Sequence, residues 1–265
     1  MTGQAVIVFA GPSLRPSDRL RPGVEWRPPA TAGDVLDMLD RPPAAICLID
    51  GLFDQCAAPW HKELLLIMAC GTRLFGAASM GALRAAELHE HGMTGVGAIF
   101  EAYRDGRLCG DDEVALVHAT EPLRWAPLTV PMVEVRATLW RACRAGLVAP
   151  ERARRIRSTV HDIHYEDRDW PTMERHCAAE ALIDRSDFRR LAAMHVELKR
   201  ADALRCLDIA AVETRSRARR SPPLTCFTRE LARQRGVSWP PRFGAGQRTA
   251  ARRNPRETGD ATRPS

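Results

Sequence analysis

The sequence predicts an α/β fold in which a parallel sheet is covered by helices on both faces, with a helical C-terminal appendage and a disordered basic tail. Continuous apolar runs separated by helical segments indicate buried parallel strands. Alanine, leucine, arginine and glutamate dominate from Pro131 to about Arg220 and indicate helices. Prolines and arginines without helical periodicity follow Gly236. The predicted units are an α/β core over 1–125, a helical appendage over 126–220 and an Arg/Pro-rich tail over 221–265.

The first half of the core alternates strands and helices. Ala5–Ala10 is an apolar run ended by Gly11-Pro12-Ser13, and Gly33–Leu39 reads as a short helix. Ala44–Ile49 is a second apolar run, ended by Asp50-Gly51. These runs are short enough for strands and lack polar alternation, as expected of strands buried on both faces.

The second half of the core repeats this pattern around a serine. Pro59 suits the first turn of a helix from Trp60 to about Ala69. Thr72–Ala77 is a third apolar strand that leads into a turn at Ser79 and a helix to about His91. Gly92–Gly97 lacks a preceding strand and reads as a connector. The three acids Asp111–Glu113 either bind a cation or cap the next element, and capping is the commoner role.

The charge of the chain is concentrated at its C-terminal end. The net charge is +6 over 265 residues, yet thirteen arginines and four acidic residues between Val212 and Ser265 give that segment +9. The preceding 211 residues therefore carry about −3. Aromatic residues that could stack on bases are few in the tail, so a solvated tail is favoured over nucleic-acid binding.

Composition also restricts the compartment and the cofactors. No window approaches about 18 uninterrupted apolar residues, so no membrane span is expected. The N-terminus has no basic region before its first strand, so no secretory signal is expected. Eight cysteines are scattered without a C-x-x-C pair. A reduced cytoplasmic protein is predicted, with no metal site and no cofactor.

The serine turn carries the clearest chemical signal. The stretch Gly76-Ala77-Ala78-Ser79-Met80-Gly81 lies where a strand passes into a helix, which is the arrangement of a nucleophile elbow with alanine in the first glycine position. The free N–H groups at the start of the helix could stabilise an anion beside the serine. The alternative is a turn of small residues that lets the helix pack closely on the strand.

Several polar residues are expected at the same edge of the sheet. In parallel sheets, ligands bind beyond the carboxyl ends of the strands, where Ser13, Asp50 and Ser79 lie. The helix that begins with His61 and Lys62 is expected to start there too. Lys62 and Lys199 are the only lysines beside 37 arginines. Because lysine can be tuned to lose its proton and arginine cannot, Lys62 is a candidate base, whereas Lys199 reads as a chance survivor.

The motifs taken together resemble a known family, the TfuA-like core domain. They occur in that family's order over about residues 5–120, with a weaker match through Arg168-x-Trp170, and the end beyond about residue 215 lies outside the resemblance. The motifs are Gly11-Pro12-Ser13, Ile49-Asp50-Gly51, Trp60-His61-Lys62-Glu63, the segment Gly76–Glu87, Gly92-Met93-x-Gly95-Val96-Gly97 and Asp111-Asp112-Glu113-Val114-Ala115.

The resemblance implies a role beside YcaO enzymes, which use ATP to convert a backbone amide into a thioamide in ribosomally made peptides or proteins. The implied activity is hydrolysis of the C-terminal thiocarboxylate of a ThiS-like sulfur-carrier protein, which releases sulfide. Ser79 would attack the thiocarboxylate carbon, with Lys62 or His61 as base and Asp50 orienting the base or a water. The residues assigned to substrate or anion binding are Ser13, Met80, Gly81, Arg84, Glu63 and Asp112. The alternative is a non-catalytic subunit that docks on YcaO and activates it allosterically.

Overall fold

The computed structural model describes residues 6–52, 56–213 and 226–236. Its centre is a five-stranded, fully parallel sheet of order β2-β1-β3-β4-β5. The strands are β1 (Val6–Phe9), β2 (Val24–Arg27), β3 (Ala45–Leu48), β4 (Arg73–Ala77) and β5 (Thr94–Val96). The three strands predicted from apolar runs are β1, β3 and β4, and the predicted parallel sheet is confirmed.

The two strands that the sequence did not predict are the edge strands. Each pairs with one neighbour only, β2 with β1 and β5 with β4. Val24–Arg27 is half-exposed and mixes polar with apolar residues, so it lacks the apolar run of a central strand. Thr94–Val96 has three residues with a glycine in the middle, so it looked like part of a connector.

Helices α1 (His61–Ala69), α2 (Met80–Leu88) and α3 (Ala98–Arg104) follow the strands. Apolar residues of α1, α2 and α3 share one buried cluster with the side chains that β1, β3 and β4 direct to that face. The predicted helix at 33–39 is instead a turn with a three-residue 3-10 helix, Leu36–Met38. Gly33 has a φ of +99°, outside the helical region, so a regular helix cannot begin there.

The predicted helical region contains α4 (Met132–Arg144), α5 (Pro150–His161), α6 (Trp170–Ala179), α7 (Arg185–Ala193) and α8 (Leu198–Glu213). The first four share an apolar core of their own. Helix α8 differs, because Ala203, Cys206 and Leu207 pack against the second face of the sheet. Within the range predicted as the appendage, α8 is thus a helix that covers the sheet of the α/β core.

Part of the predicted tail is a helix. Helix α9 (Cys226–Gln234) lies within the range 221–265, and its Leu231 and Ala232 are buried with the residues of α1. These two residues give α9 a short apolar face, so the prediction of a disordered tail is corrected for this stretch. Residues 237–265 lie outside the described part. Within the described residues no helix combines the length and apolarity needed to cross a membrane.

Candidate functional site

The candidate site lies beyond the carboxyl ends of β1 and β3. From β1 the chain continues to β2 on one side, and from β3 it continues to β4 on the other. Where the direction of strand addition reverses in this way, a crevice is left between the two strands, and open parallel sheets bind their ligands there. The loop Gly11–Ser13 follows β1 at this place, and Asp50 follows β3.

The Asp50 carboxylate holds the loop after β1. It accepts hydrogen bonds from Gly11 N at 2.8 Å, from Ser13 N at 3.0 Å and from Ser13 Oγ at 2.6 Å. Asp50 and Ser13 are both buried. The expected convergence of Ser13 and Asp50 is confirmed. Three donors on one buried carboxylate fix its position.

Lys199 is the functional candidate that the sequence analysis missed. It is the second residue of α8 and is buried. Its Nζ lies 4.0 Å from Asp50 Oδ1 and donates to Val114 O at 2.9 Å. Burial lowers the pKa of Lys199, whereas the negative charges of Asp50 and Glu134 oppose that shift. The scarcity of lysine could have indicated this residue. It was used in favour of Lys62 instead, and of the two lysines only Lys199 lies beside Asp50.

A second carboxylate extends the polar centre. Glu134 accepts from Lys199 N at 3.1 Å through Oε1, and its Oε2 lies 2.8 Å from His195 Nε2. The His195 ring meets Trp170 edge-on, with 5.5 Å between centroids. Ser13, Asp50, Lys199, Glu134 and His195 thus form one continuous polar chain, which we call the rim network. Glu134 and His195 lie in no motif that the sequence analysis singled out.

A cavity of 510 Å³ lies over the rim network. Ser13, Lys199, Glu134 and His195 all contribute to its wall. Much of the remaining wall comes from one segment of the chain, Leu123–Pro131. This volume suits a small ligand or the end of an extended peptide chain.

The serine turn lies beside this centre. Because Leu48 pairs with Gly76, Asp50 and Ala78 each lie two residues beyond a paired position on neighbouring strands. Ala78 has a φ of +68°, which is uncommon for a residue with a side chain and marks a strained turn. Ser79 is 2% exposed, and Ser79 Oγ has no hydrogen-bond partner in the described part of the chain. The turn does not contribute to the cavity wall.

The glycines of this turn serve close packing. A Cβ on Gly81 would lie 1.8 Å from Leu48 O, and one on Gly76 would lie 2.2 Å from Gly81 O. Gly81 N donates to Ile49 O at 3.2 Å, so this N–H is not free to hold an anion, contrary to the role expected for it. Met80 N–H donates to no group that the structure describes. The small-residue interpretation is therefore correct for the glycines, while the role of Ser79 stays a prediction.

His61 and Lys62 lie away from the rim network. They line a separate surface groove, and His61 Nε2 lies 2.7 Å from Glu87 Oε2. Glu87 is eight residues after Ser79 on α2, which corresponds to about 12 Å along the helix axis. The helix was expected to start at the edge of the sheet where Ser79 lies, and the structure places its first residue against the second half of α2.

Three further predicted binding residues are engaged locally. Glu63 caps α1 by accepting from Trp60 N at 2.6 Å, and burial raises its pKa. Arg84 donates to Pro59 O at 2.9 Å and to Glu87 at 2.8 Å. Asp112 lies 3.7 Å from Arg168. These contacts account for the three side chains structurally, and none of the three lines the cavity.

One stretch of the chain that contains part of the candidate site matches a known protein family. Residues 50–169 match the family model described as TfuA-like protein, which confirms the resemblance seen in the motifs. The match includes Asp50, Ser79 and Glu134, and it ends before His195 and Lys199. No curated protein matches the chain. The family match supports a TfuA-like accessory role in thioamide formation, a reaction in which this family is associated with YcaO partners.

Proposed function

We propose that the protein supplies sulfide for thioamide formation by hydrolysing the C-terminal thiocarboxylate of a ThiS-like sulfur-carrier protein, beside a YcaO-type enzyme. The observation that carries the proposal is the buried amine of Lys199 at the edge of the cavity, next to Asp50. An amine whose pKa is lowered by burial can accept a proton, as a general base must.

The proposed reaction has two steps. Ser79 Oγ attacks the thiocarboxylate carbon as its proton passes to Lys199. The carbon–sulfur bond then breaks as Lys199 returns that proton to the departing sulfur, which releases hydrosulfide and leaves an acyl-serine. In the second step Lys199 takes a proton from the attacking water and returns it to Ser79 Oγ as the acyl bond breaks, and the carrier's new carboxyl group loses its own proton to solvent. Met80 N–H, at the start of α2, is the donor that we assign to the developing oxyanion.

Lys199 takes the place of Lys62 and His61 as the base in this proposal. Lys62 and His61 face a groove that contains no rim-network residue, and His61 is engaged by Glu87. Asp50 holds the loop of Ser13 and balances the charge on Lys199 when the amine is protonated. Lys199 is thereby positioned to cycle between its two protonation states within one turnover.

Ser13 is the second candidate nucleophile. Its Oγ faces Asp50 at 2.6 Å, and the residue belongs to the cavity wall, whereas Ser79 does not. The two serines are separated by comparing Ser79→Ala with Ser13→Ala in sulfide release from a thiocarboxylated carrier by the protein alone. Loss of the nucleophile should reduce the rate by several orders of magnitude. Ser158→Ala, at an exposed position on α5, is the matched control.

The proposal fails if both serine variants fold and keep the full rate. A rate that falls only in Ser13→Ala would assign the nucleophile to the loop after β1. Circular dichroism and thermal melting of each variant establish that the fold is retained.

The non-catalytic alternative has one observation in its favour. Ser79 is buried outside the cavity wall, and the glycines around it are accounted for by packing. On this alternative the protein alone releases no sulfide from the carrier, yet it raises the thioamidation rate of its YcaO-type partner. Ser79→Ala would then stimulate the partner as well as the wild type does.

A further inference from the structure

A second concave surface lies between α3 and α4, where α8 begins. Its volume is 840 Å³, and we call it the α3–α4 groove. Its apolar lining residues are Ala98, Ile99, Ala102, Leu108, Val133, Ala137, Trp140, Val196 and Leu198. Several of these are only half-buried, among them Leu108, Val196 and Leu198. An apolar surface of this extent is a feature of interaction sites.

Trp140 marks the edge of the groove. It is 63% exposed, and the Arg144 guanidinium stacks on its ring at 5.0 Å from the centroid. A partner that covers this exposed tryptophan removes a large apolar surface from water, and this burial favours binding. Tryptophan is accordingly enriched among the residues that dominate binding energy.

The charged residues of the groove all have the same sign. Arg107, Arg136 and Arg141 line it, and no acidic residue does so. Glu113 pairs with Arg136, and Asp105 lies 3.3 Å from Arg107. Within the described ranges, the side chain of Arg141 has no ionic partner. The groove therefore offers an apolar floor edged by three arginines, of which Arg141 carries a positive charge that no described acidic side chain balances.

We propose that the α3–α4 groove binds an acidic amphipathic helix of a partner protein. The apolar stripe of such a helix would cover the floor and Trp140, and its flanking carboxylates would meet the arginines. The chain's own segments outside the described residues do not fit this description. Residues 214–225 contain four arginines and no acid, and residues 237–265 contain six arginines and two acids, so neither segment supplies the carboxylates that would pair with Arg141.

The groove is adjacent to the rim network through the backbone. Val133 directly precedes Glu134 on α4, and Leu198 directly precedes Lys199 on α8. A helix bound in the groove would therefore contact the two elements that carry these groups. The binding proposal does not depend on the chemistry of the cavity, because it rests only on the lining of the groove.

The test uses a fluorescein-labelled synthetic peptide of 18 residues, with leucine at helical i, i+3, i+4, i+7 spacing and glutamate on both flanks. Binding to the full-length protein is followed by fluorescence anisotropy. Trp140→Ala should weaken binding at least tenfold, as expected for a central aromatic anchor. Arg141→Glu should weaken it about tenfold, and added salt should weaken the wild-type complex.

Matched controls separate this site from general charge and hydrophobicity. Leu20→Ala changes an apolar residue that is 84% exposed elsewhere, and Arg152→Glu reverses an exposed charge on α5. Both should bind the peptide as the wild type does. A peptide with lysine in place of glutamate should not bind.

Three results would overturn the proposal. The first is no binding of the acidic peptide, and the second is binding that Trp140→Ala leaves unchanged. The third is self-association of the protein that Trp140→Ala abolishes, since the groove would then be an interface between copies of this chain.

Discussion

Replacement of Lys199 by methionine tests whether the buried amine stabilises the rim network. The change leaves Val114 O, fully buried, without its donor, which costs about 1–3 kcal/mol. The Lys199 ammonium and the Asp50 carboxylate lie 4.0 Å apart, and their attraction amounts to about 4 kcal/mol at an effective dielectric of 20. The cost of burying the charged amine largely offsets this attraction. We expect Lys199→Met to lower the free energy of unfolding by about 3 kcal/mol in urea denaturation.

The second lysine provides the matched control. Lys62 is half-buried at the edge of a surface groove, and Lys62→Met removes the same charged group from a side chain of similar length. Its effect should stay within about 0.5 kcal/mol, as for most surface substitutions. If Lys199→Met changes the unfolding free energy no more than Lys62→Met does, the buried amine does not hold the network together.

The pH dependence of stability gives an independent measurement of Lys199. Its pKa is lower in the folded protein than the ordinary value of 10.5, so between these two values the unfolded chain binds a proton that the folded chain lacks. Stability contributed by this group therefore rises with pH through that window. The wild type should gain stability over Lys199→Met as pH increases toward 10.5. Parallel pH profiles of the two proteins would contradict the assignment.

Two further predictions concern packing. Gly81→Ala should lower the unfolding free energy by 3 kcal/mol or more, roughly the cost of severe overpacking, because its Cβ would lie 1.8 Å from the backbone atom Leu48 O. Gly110→Ala, whose Cβ would meet only the movable end of a side chain, should be nearly neutral, and equal melting temperatures for the two would contradict the packing argument. Removal of the residues after Gly236 should leave the melting temperature unchanged, whereas truncation before α9 should lower it by exposing α1 where Leu231 packs. Equal melting temperatures for these two truncations would mean that α9 adds no stability.

The central strands could be predicted because burial on both faces leaves a strong sequence signal. β1, β3 and β4 are apolar runs, whereas β2 lies at an edge and needs no such run. The distinction between α8 and the other C-terminal helices had no local signal. Whether a helix packs on the sheet or on its neighbours depends on tertiary contacts, which composition does not contain.

The candidate site was predictable where it follows strand ends and unpredictable where it depends on long-range packing. Ser13 and Asp50 follow adjacent parallel strands, so their meeting followed from the topology. Lys199 reaches Asp50 from 149 residues later in the chain, and no spacing rule connects them. Lys62 was expected at the same edge because its helix follows β3, but α1 starts beside the second half of α2.

The return of α8 to the sheet has a consequence for synthesis of the chain. One face of β1, β3 and β4 is closed by residues of α8, and four helices with their own core are made between α3 and α8. While the ribosome is still making those helices, the α/β core has an uncovered apolar face and no Lys199 beside Asp50. Domains usually complete folding in the order of their synthesis, but here the N-terminal unit can close only after the C-terminal helices have emerged. Nascent chains that end before about Glu213 should therefore need a chaperone to shield that face.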